Sequence, residues 1–399
     1  YLYKMEVTAQ VFLKPKKAES LLRFHPWIFS GAIRHIIGNP KEGDVVEVYT
    51  ASNEFIALGH YQIGSIAVRI LSFDPVDINQ EFWNARIRRA FEARAALGLT
   101  NSATTNCYRL IHGEGDNLPG VIVDIYGETA VVQSHSVGMY LSRDYIAEGI
   151  KQVYGNRIKA IYDKSEGTLP FKAGLNAKDE YIFGSAIDTP VLENGIKFNV
   201  SWEEGQKTGF FLDQRDNREL VGKYSKGRDV LNMFCYTGGF SLYALAGGAN
   251  SVDSVDSSKK AMDMVDRNVE INFGINHNHT SYAEDAFEHL RTIDGKYDLI
   301  ILDPPAFAKH NKVLNKALLG YRRLNALAFH KIKPGGILFT FSCSQVVTKE
   351  HFRNSVFTAA AISGRNVRIL HQLTQPADHP INIYHPEGEY LKGLVLYVE

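Results

Sequence analysis

The sequence predicts an α/β protein whose C-terminal half is a doubly wound parallel sheet, preceded by a small β-barrel and a small α/β connector. Three observations predict it. Asp229 to Ser241, DVLNMFCYTGGFS, runs from a short apolar strand, Val230 to Phe234, through Thr237-Gly238-Gly239 into an Ala-rich helix ending near Gly247-Gly248. A second apolar strand, Ser251 to Val255, delivers Asp256, which lies 18 residues beyond Gly238 (256 − 238). Two more, Tyr297 to Leu302 and Ile337 to Phe341, end in Asp303-Pro304-Pro305-Ala306-Phe307 and Ser342-Cys343-Ser344. Short apolar runs alternating with helices are buried on both faces of a parallel sheet. Ligands of open α/β sheets sit beyond the carboxyl ends of the strands. The three motifs therefore belong on one rim.

In chain order, residues 8–74 come first. Val11 to Leu13, Val45 to Tyr49, Ile56 to Tyr61 and Ala67 to Leu71 are short β-like runs, with turns at Gly43-Asp44 and Ser52-Asn53. Strands this short and closely spaced suggest a small all-β barrel. Trp27 is read as core packing, with stacking on a base as the alternative.

Residues 78–197 follow a linker that contains Pro75. A helix from Ile78 to Leu97 places Trp83, Ile87, Ala90, Phe91 and Leu97 near one face. Its arginines, Arg86, Arg88, Arg89 and Arg94, are read as solvated or as an RNA path. A hairpin, Val121 to Tyr126 and Thr129 to Ser134, precedes a helix from Tyr140 to Tyr154 and a strand from Ile158 to Tyr162. Asp163, Lys164 and Glu166 read as a surface loop, and Asn194-Gly195 as a type I′ hairpin turn. Residues 198–399 carry the parallel sheet.

The chain has 399 residues, too many for one ordinary core. Its 45% hydrophobic and 22% charged residues fit a globular protein, and no apolar run is long enough to span a membrane. The three cysteines, Cys107, Cys235 and Cys343, show no metal-ligand spacing and form no disulfide framework, so a cytoplasmic setting is expected. His277, Asn278 and His279 read as a polar turn, so no metal is expected. Formal net charge is zero, which argues mildly against nucleic acid. Charge location argues the other way. Residues 1–41 hold seven Lys or Arg against Glu6 and Glu19, and residues 301–333 hold seven against Asp303 alone. The second cluster begins at the proposed rim.

The glycine turn is not G-x-G-x-x-G, so a nicotinamide dehydrogenase is poorly supported. NMFCYTGGF, SVDSS, YDLIILDPPAF, FTFSCS and ADHP with YLKG resemble class I S-adenosylmethionine-dependent methyltransferases. Within that class they are most similar to the large-subunit ribosomal RNA 5-methylcytosine methyltransferases. The resemblance extends to an N-terminal PUA-like segment, FHPWIFSGAI. It implies a PUA-like RNA-binding barrel, a connector, and a Rossmann-like domain whose seven-stranded sheet has a final antiparallel strand. It also implies S-adenosyl-L-methionine as cofactor and ribosomal RNA as partner. Oligomeric state is not legible, and a homodimer stays open.

The resemblance places the site residues. Thr208, Phe210 and Gln214 lie in GQKTGFFLDQRDNR, which folds over the cofactor in the family; a capped helix start is the alternative. Asn232, Phe234, Thr237 and Gly238 approach the methionine part. Asp256 accepts the ribose hydroxyls, and Asp285 with Ala286 reaches the adenine, a role that coexists with helix capping. Cys343 stands where the family has its nucleophile, and adding a thiolate to carbon 6 of cytosine makes carbon 5 carbanion-like. Asp303 hydrogen-bonds the ring, Pro304 fixes that carboxylate, and Phe307 stacks on an extruded base. The loop has Ala306 where some relatives carry a second cysteine, which leaves the base for the carbon 5 proton open. A guanine N-methyltransferase and a non-catalytic RNA-binding assembly factor are the alternatives.

Overall fold

The computed structural model describes residues 5–170, 174–275 and 278–399. It divides into two compact units. The first comprises the chain up to Asn194 with Val200–Phe210 and Ala377–Gly388; the second comprises Gly195–Asn199, Phe211–Pro376 and Glu389–Glu399.

The first unit holds two sheets. Strands β1 (Val7–Leu13), β2 (Trp27–Phe29), β3 (Ile33–Gly38), β4 (Val45–Tyr49), β5 (Phe55–Tyr61) and β6 (Ile66–Ser72) form a six-stranded sheet in the order β2-β6-β5-β4-β1-β3, with a one-turn helix α1 (Glu19–Leu22). Only β1 and β4 run parallel. Their inward side chains, Val11, Leu13, Val46 and Val48, meet Ile28, Ala57, Val68 and Ile70 in one core. β2 and β3 were not evident in the sequence. A one-turn 3₁₀ segment at Ser30–Ala32 interrupts them, and β3 has no fully buried residue to set a period-2 pattern.

Helix α2 (Gln80–Ala96) starts where Asn79 caps it, its side chain accepting the Phe82 N–H at 3.0 Å. Trp83, Ile87 and Ala90 are buried as expected, whereas Leu97 is 46% exposed. Arg94 corrects the solvated reading: it is fully buried and grips Asp116 in a bidentate pair, with further bonds to the carbonyls of Arg109 and Asp378. A five-stranded sheet follows in the order β11-β10-β9-β8-β7: β7 (Cys107–His112), β8 (Val121–Tyr126), β9 (Thr129–Ser134), β10 (Ala160–Asp163) and β11 (Glu180–Phe183). Helices α3 (Val137–Leu141) and α4 (Arg143–Tyr154) lie between β9 and β10. Asp163 is buried at the end of β10 and not in a surface loop. Burial pushes its carboxyl up to about 6, against Ser165 and Arg143. Lys164 donates to the carbonyls of Trp202 and Gly205. Short strands β12 (Val191–Glu193) and β13 (Ile196–Phe198) flank the Asn-Gly turn, where Asn194 and Gly195 take φ of 50° and 83°, as type I′ requires.

The second unit alternates α5 (Arg215–Tyr224), β14 (Asp229–Met233), α6 (Gly239–Ala246), β15 (Ser251–Asp256), α7 (Lys259–Phe273), β16 (His279–Ala283), α8 (Ala286–Thr292), β17 (Leu299–Leu302), α9 (Leu314–Lys331), β18 (Gly336–Ser342) and α10 (Lys349–Ser363), then closes with β19 (Val367–Leu373) and β20 (Lys392–Val398). The sheet order is β16-β15-β14-β17-β18-β20-β19. The first five strands are parallel, and β20 is antiparallel to both neighbours. The sheet is buried on both faces. Along β17, Leu299 and Ile301 enter one core while Ile300 and Leu302 enter the other. β18 divides likewise, with Ile337, Phe339 and Phe341 on one side and Leu338 on the other. This two-sided burial is why these strands read as unbroken apolar runs. Of the polar turn, His277 lies outside the described residues, and His279 Nε2 meets Ser254 Oγ at 2.8 Å.

Candidate active site

The parallel strands end on one rim. β14 stops at Met233, opposite Val255 of β15 and Leu302 of β17. In the turn that follows, Phe234 and Tyr236 take φ of 58° and 48°. Left-handed conformations cost a non-glycine residue free energy and persist where the surroundings over-determine them. Three bonds do so here. Cys235 N–H donates to Val255 O at 3.1 Å, Tyr236 N–H to Asp256 Oδ2 at 3.1 Å, and Asn268 Nδ2 to Thr237 O at 3.1 Å. Gly238, at φ 83°, then begins α6, and a Cβ there would meet Val265 Cγ1 at 2.9 Å. The buried Asn232 donates to Ser241 Oγ at 2.9 Å, and its Oδ1 has no hydrogen-bond partner among the described residues.

Asp256 ends β15. Its Oδ2 takes the Tyr236 N–H and its Oδ1 the Ser258 N–H at 3.0 Å. Each carboxylate oxygen keeps capacity for another donor. Asp285 caps α8 by accepting the Glu288 N–H at 3.0 Å, and Ala286 behind it is buried.

Asp303 follows β17 directly. Its Oδ2 accepts from Gln214 Nε2 at 3.1 Å, and Gln214 Oε1 is held by Asn217 Nδ2 at 2.6 Å. Burial and the charge of Asp213 push the Asp303 carboxyl up to about 7, against Gln214 and Arg218. Pro304 is buried. Phe307 packs one side of its ring on Tyr321 of α9, with centroids 4.6 Å apart.

Cys343 follows β18 and is half-buried, whereas Cys107 and Cys235 are buried. Its flanking serines fix the turn. Ser342 Oγ donates to Tyr321 Oη at 2.9 Å, Tyr321 Oη lies 3.1 Å from Ser344 Oγ, and Ser344 Oγ accepts the Ala308 N–H at 3.3 Å. The loop carrying Asp303 and the loop carrying Cys343 are therefore stitched together through Ser344 and Tyr321. Tyr321 went unnoticed in the sequence because it sits on the apolar face of α9 and looks like core. Lys392, the first residue of β20, is a second buried polar side chain beside this turn.

Thr208 and Phe210 belong to the first unit. Thr208 Oγ1 donates to Asp124 Oδ2 at 2.6 Å and lies 2.9 Å from Tyr126 Oη; Phe210 N–H donates to that same hydroxyl at 3.2 Å. Of the seven basic residues in 301–333, Lys331 pairs with Asp294 and Lys333 with Asp229 and Asp298. Lys309, Lys312, Lys316 and Arg323 are exposed. Among the described residues, no helix is long and apolar enough to cross a membrane. One trio, His25, His385 and Glu387, gathers ligand atoms within 4.8 Å. It lies in the first unit.

Residues 168–382 match the family model of S-adenosylmethionine-dependent methyltransferases, and residues 11–73 match a PUA-like domain. A ribosomal RNA large subunit methyltransferase I from Aeromonas hydrophila is 41% identical over 98% of this chain and 99% of its own length. Its namesake from Shewanella amazonensis is also 41% identical, over 98% of this chain and all of its own. Among solved structures, a chain from Streptococcus mutans assigned as a SAM-dependent methyltransferase superposes with a TM-score of 0.83 at 25% identity, covering 98% of this chain and 100% of that one. A second structure with the same scores and coverage is titled as complexed with SAH.

Proposed function

Because the chain belongs to the S-adenosylmethionine-dependent methyltransferases, we propose that it methylates carbon 5 of a cytosine in large-subunit ribosomal RNA through a covalent adduct on Cys343. The observation that carries this reading is the stitched pair of loops. They hold a half-buried thiol and a carboxyl of raised proton affinity at the ends of adjacent strands.

The residues fit the cofactor. The unpartnered Asn232 Oδ1 suits an ammonium, the two-oxygen acceptor of Asp256 suits a pair of vicinal hydroxyls, and Gly238 opens the backbone beside them. Phe234, Thr237, Asp285 and Ala286 complete that side of the site, with Gln214 bridging toward Asp303. When bound, S-adenosylmethionine supplies a methyl group on a positively charged sulfur.

The thiolate of Cys343 adds to carbon 6 of an extruded cytosine, forming the S–C6 bond and moving an electron pair into the ring. Asp303 carries a proton near neutrality and donates it toward ring nitrogen 3, where that charge gathers. Carbon 5 becomes nucleophilic and gains the methyl group. Water takes the carbon 5 proton, the C5–H electron pair restores the C5–C6 double bond, the S–C6 bond breaks to return the thiolate, and the proton on ring nitrogen 3 goes back to Asp303. Pro304 holds the carboxyl in place, and the open side of Phe307 faces the base. Lys309, Lys312, Lys316 and Arg323 engage phosphates, and the PUA-like domain adds a second RNA surface.

Nucleoside analysis of large-subunit ribosomal RNA from cells with and without the protein tests the product. Loss of one 5-methylcytosine is expected, and loss of a methylguanine instead would overturn the reading. Cys343→Ala should abolish methyl transfer to purified RNA, and undiminished turnover would remove the covalent step.

A further inference from the structure

Lys392 is 4% exposed and opposes Ser342 in the β18–β20 ladder, one residue before Cys343. Its Nζ donates to the carbonyls of Ser344 and Tyr390, each at 2.6 Å. Among the described residues both of its hydrogen bonds therefore go to neutral oxygens. Glu389, whose charge raises the proton affinity of Lys392, is paired with Lys349. A buried ammonium with no bonded counter-charge is expensive, and such lysines concentrate at functional sites. A neutral amine has two N–H groups and one lone pair, whereas an ammonium has three N–H groups. Two carbonyls take two of the three N–H groups of the ammonium and leave the third for another acceptor. That nitrogen lies in the electrostatic field of the Cys343 sulfur.

We propose that the ammonium of Lys392 holds the Cys343 sulfur as a thiolate. This rests on the reading of Cys343 as nucleophile. The S–H bond breaks, its electron pair stays on sulfur, the proton leaves to solvent, and the third N–H of the ammonium serves the sulfur. The lysine acts through Cys343 and touches no base, so it is a positioning residue.

The charged surroundings agree. Burial lowers Lys392 to about 8, while Cys343 and Glu389 raise it and Lys349 lowers it. At neutral pH the amine therefore carries its proton, and its positive charge favours the ionised form of a neighbouring thiol. Tyr321, whose hydroxyl bonds the serines on both sides of Cys343, is pushed up by burial and brings no negative charge to the turn.

The test is the pH dependence of Cys343 alkylation by iodoacetamide in the full chain, read at the Cys343 peptide without RNA or S-adenosylmethionine. Wild type should reach half-maximal rate below pH 8. Lys392→Met should raise that midpoint by about one unit, a tenfold slower reaction at neutral pH, and Lys392→Arg should keep it low. An unchanged midpoint in Lys392→Met overturns the proposal. So does a wild-type midpoint at or above the ordinary thiol value, a result that needs no variant to fold. Alkylation is scored apart from methyl transfer, so an active Cys343→Ala variant would sink the nucleophile reading on a separate measurement.

Discussion

Asp303→Asn should make the protein more stable at pH 8 while removing its activity. In the unfolded chain the Asp303 carboxyl titrates near the ordinary 3.8, and in the fold burial and Asp213 hold it at about 7. A folded-state value above the unfolded one means that the native state binds more protons, so stability falls as pH rises. The penalty is absent below the unfolded value, grows between about pH 4 and 7, and is constant above. A gap of roughly three units corresponds to about 4 kcal/mol at most. The partial exposure of Asp303 trims this to roughly 2–4 kcal/mol. Asparagine keeps an oxygen for the Gln214 Nε2 bond and brings no charge. Denaturant melts of the cofactor-free chain at pH 5 and pH 8 are the assay. The variant should gain at both, and the gain at pH 8 should exceed that at pH 5 by about 2 kcal/mol. Equal gains at both values, or a variant no more stable than wild type at pH 8, would refute the reasoning.

Three further outcomes follow from the same geometry. With S-adenosylmethionine at a hundred times its dissociation constant, wild type should gain about 2.7 kcal/mol in a thermal shift assay, and Asp256→Ala should lose most of that gain. Arg94→Met should cost about 3–5 kcal/mol in a denaturant melt of the first unit's transition, because it strands the Asp116 carboxylate in the interior; a loss under 1 kcal/mol would show the pair to be water-exposed. The pH profile of kcat/KM for methyl transfer should fall as pH rises through about 7, where Asp303 loses its proton; a profile still rising at pH 8 would remove Asp303 as a donor.

Strands β14, β17 and β18 were legible because each is a largely apolar run buried on both faces, whereas β15 carries Asp253 and Ser254 in its interior and β16 is mostly polar. The rim was legible from where these runs stop: Asp256 follows Val255, Asp303 follows Leu302, and Cys343 follows Ser342. What the sequence hid were polar groups whose partners are far along the chain. Arg94 and Asp163 read as surface because charge usually is, and their burial depends on Asp116, Asp378 and Arg143. Tyr321 and Lys392 serve the Cys343 turn from 22 and 49 residues away (343 − 321; 392 − 343), and no local pattern announces them. These hidden groups divide by the nature of their partners. Arg94 meets an opposite charge in bidentate geometry. Asp303 is hydrogen-bonded by an amide, and Lys392 bonds two carbonyls. Neutral partners offset less of the desolvation cost, so proton affinity moves toward the neutral form, to about 7 for the acid and about 8 for the lysine. A buried ion pair holds its protons fixed, whereas a buried charge among neutral partners can exchange one near physiological pH. Asp303 directly follows β17 and Lys392 opens β20, the two strands that flank β18, so both groups of that second kind stand on strands that neighbour the one leading into Cys343.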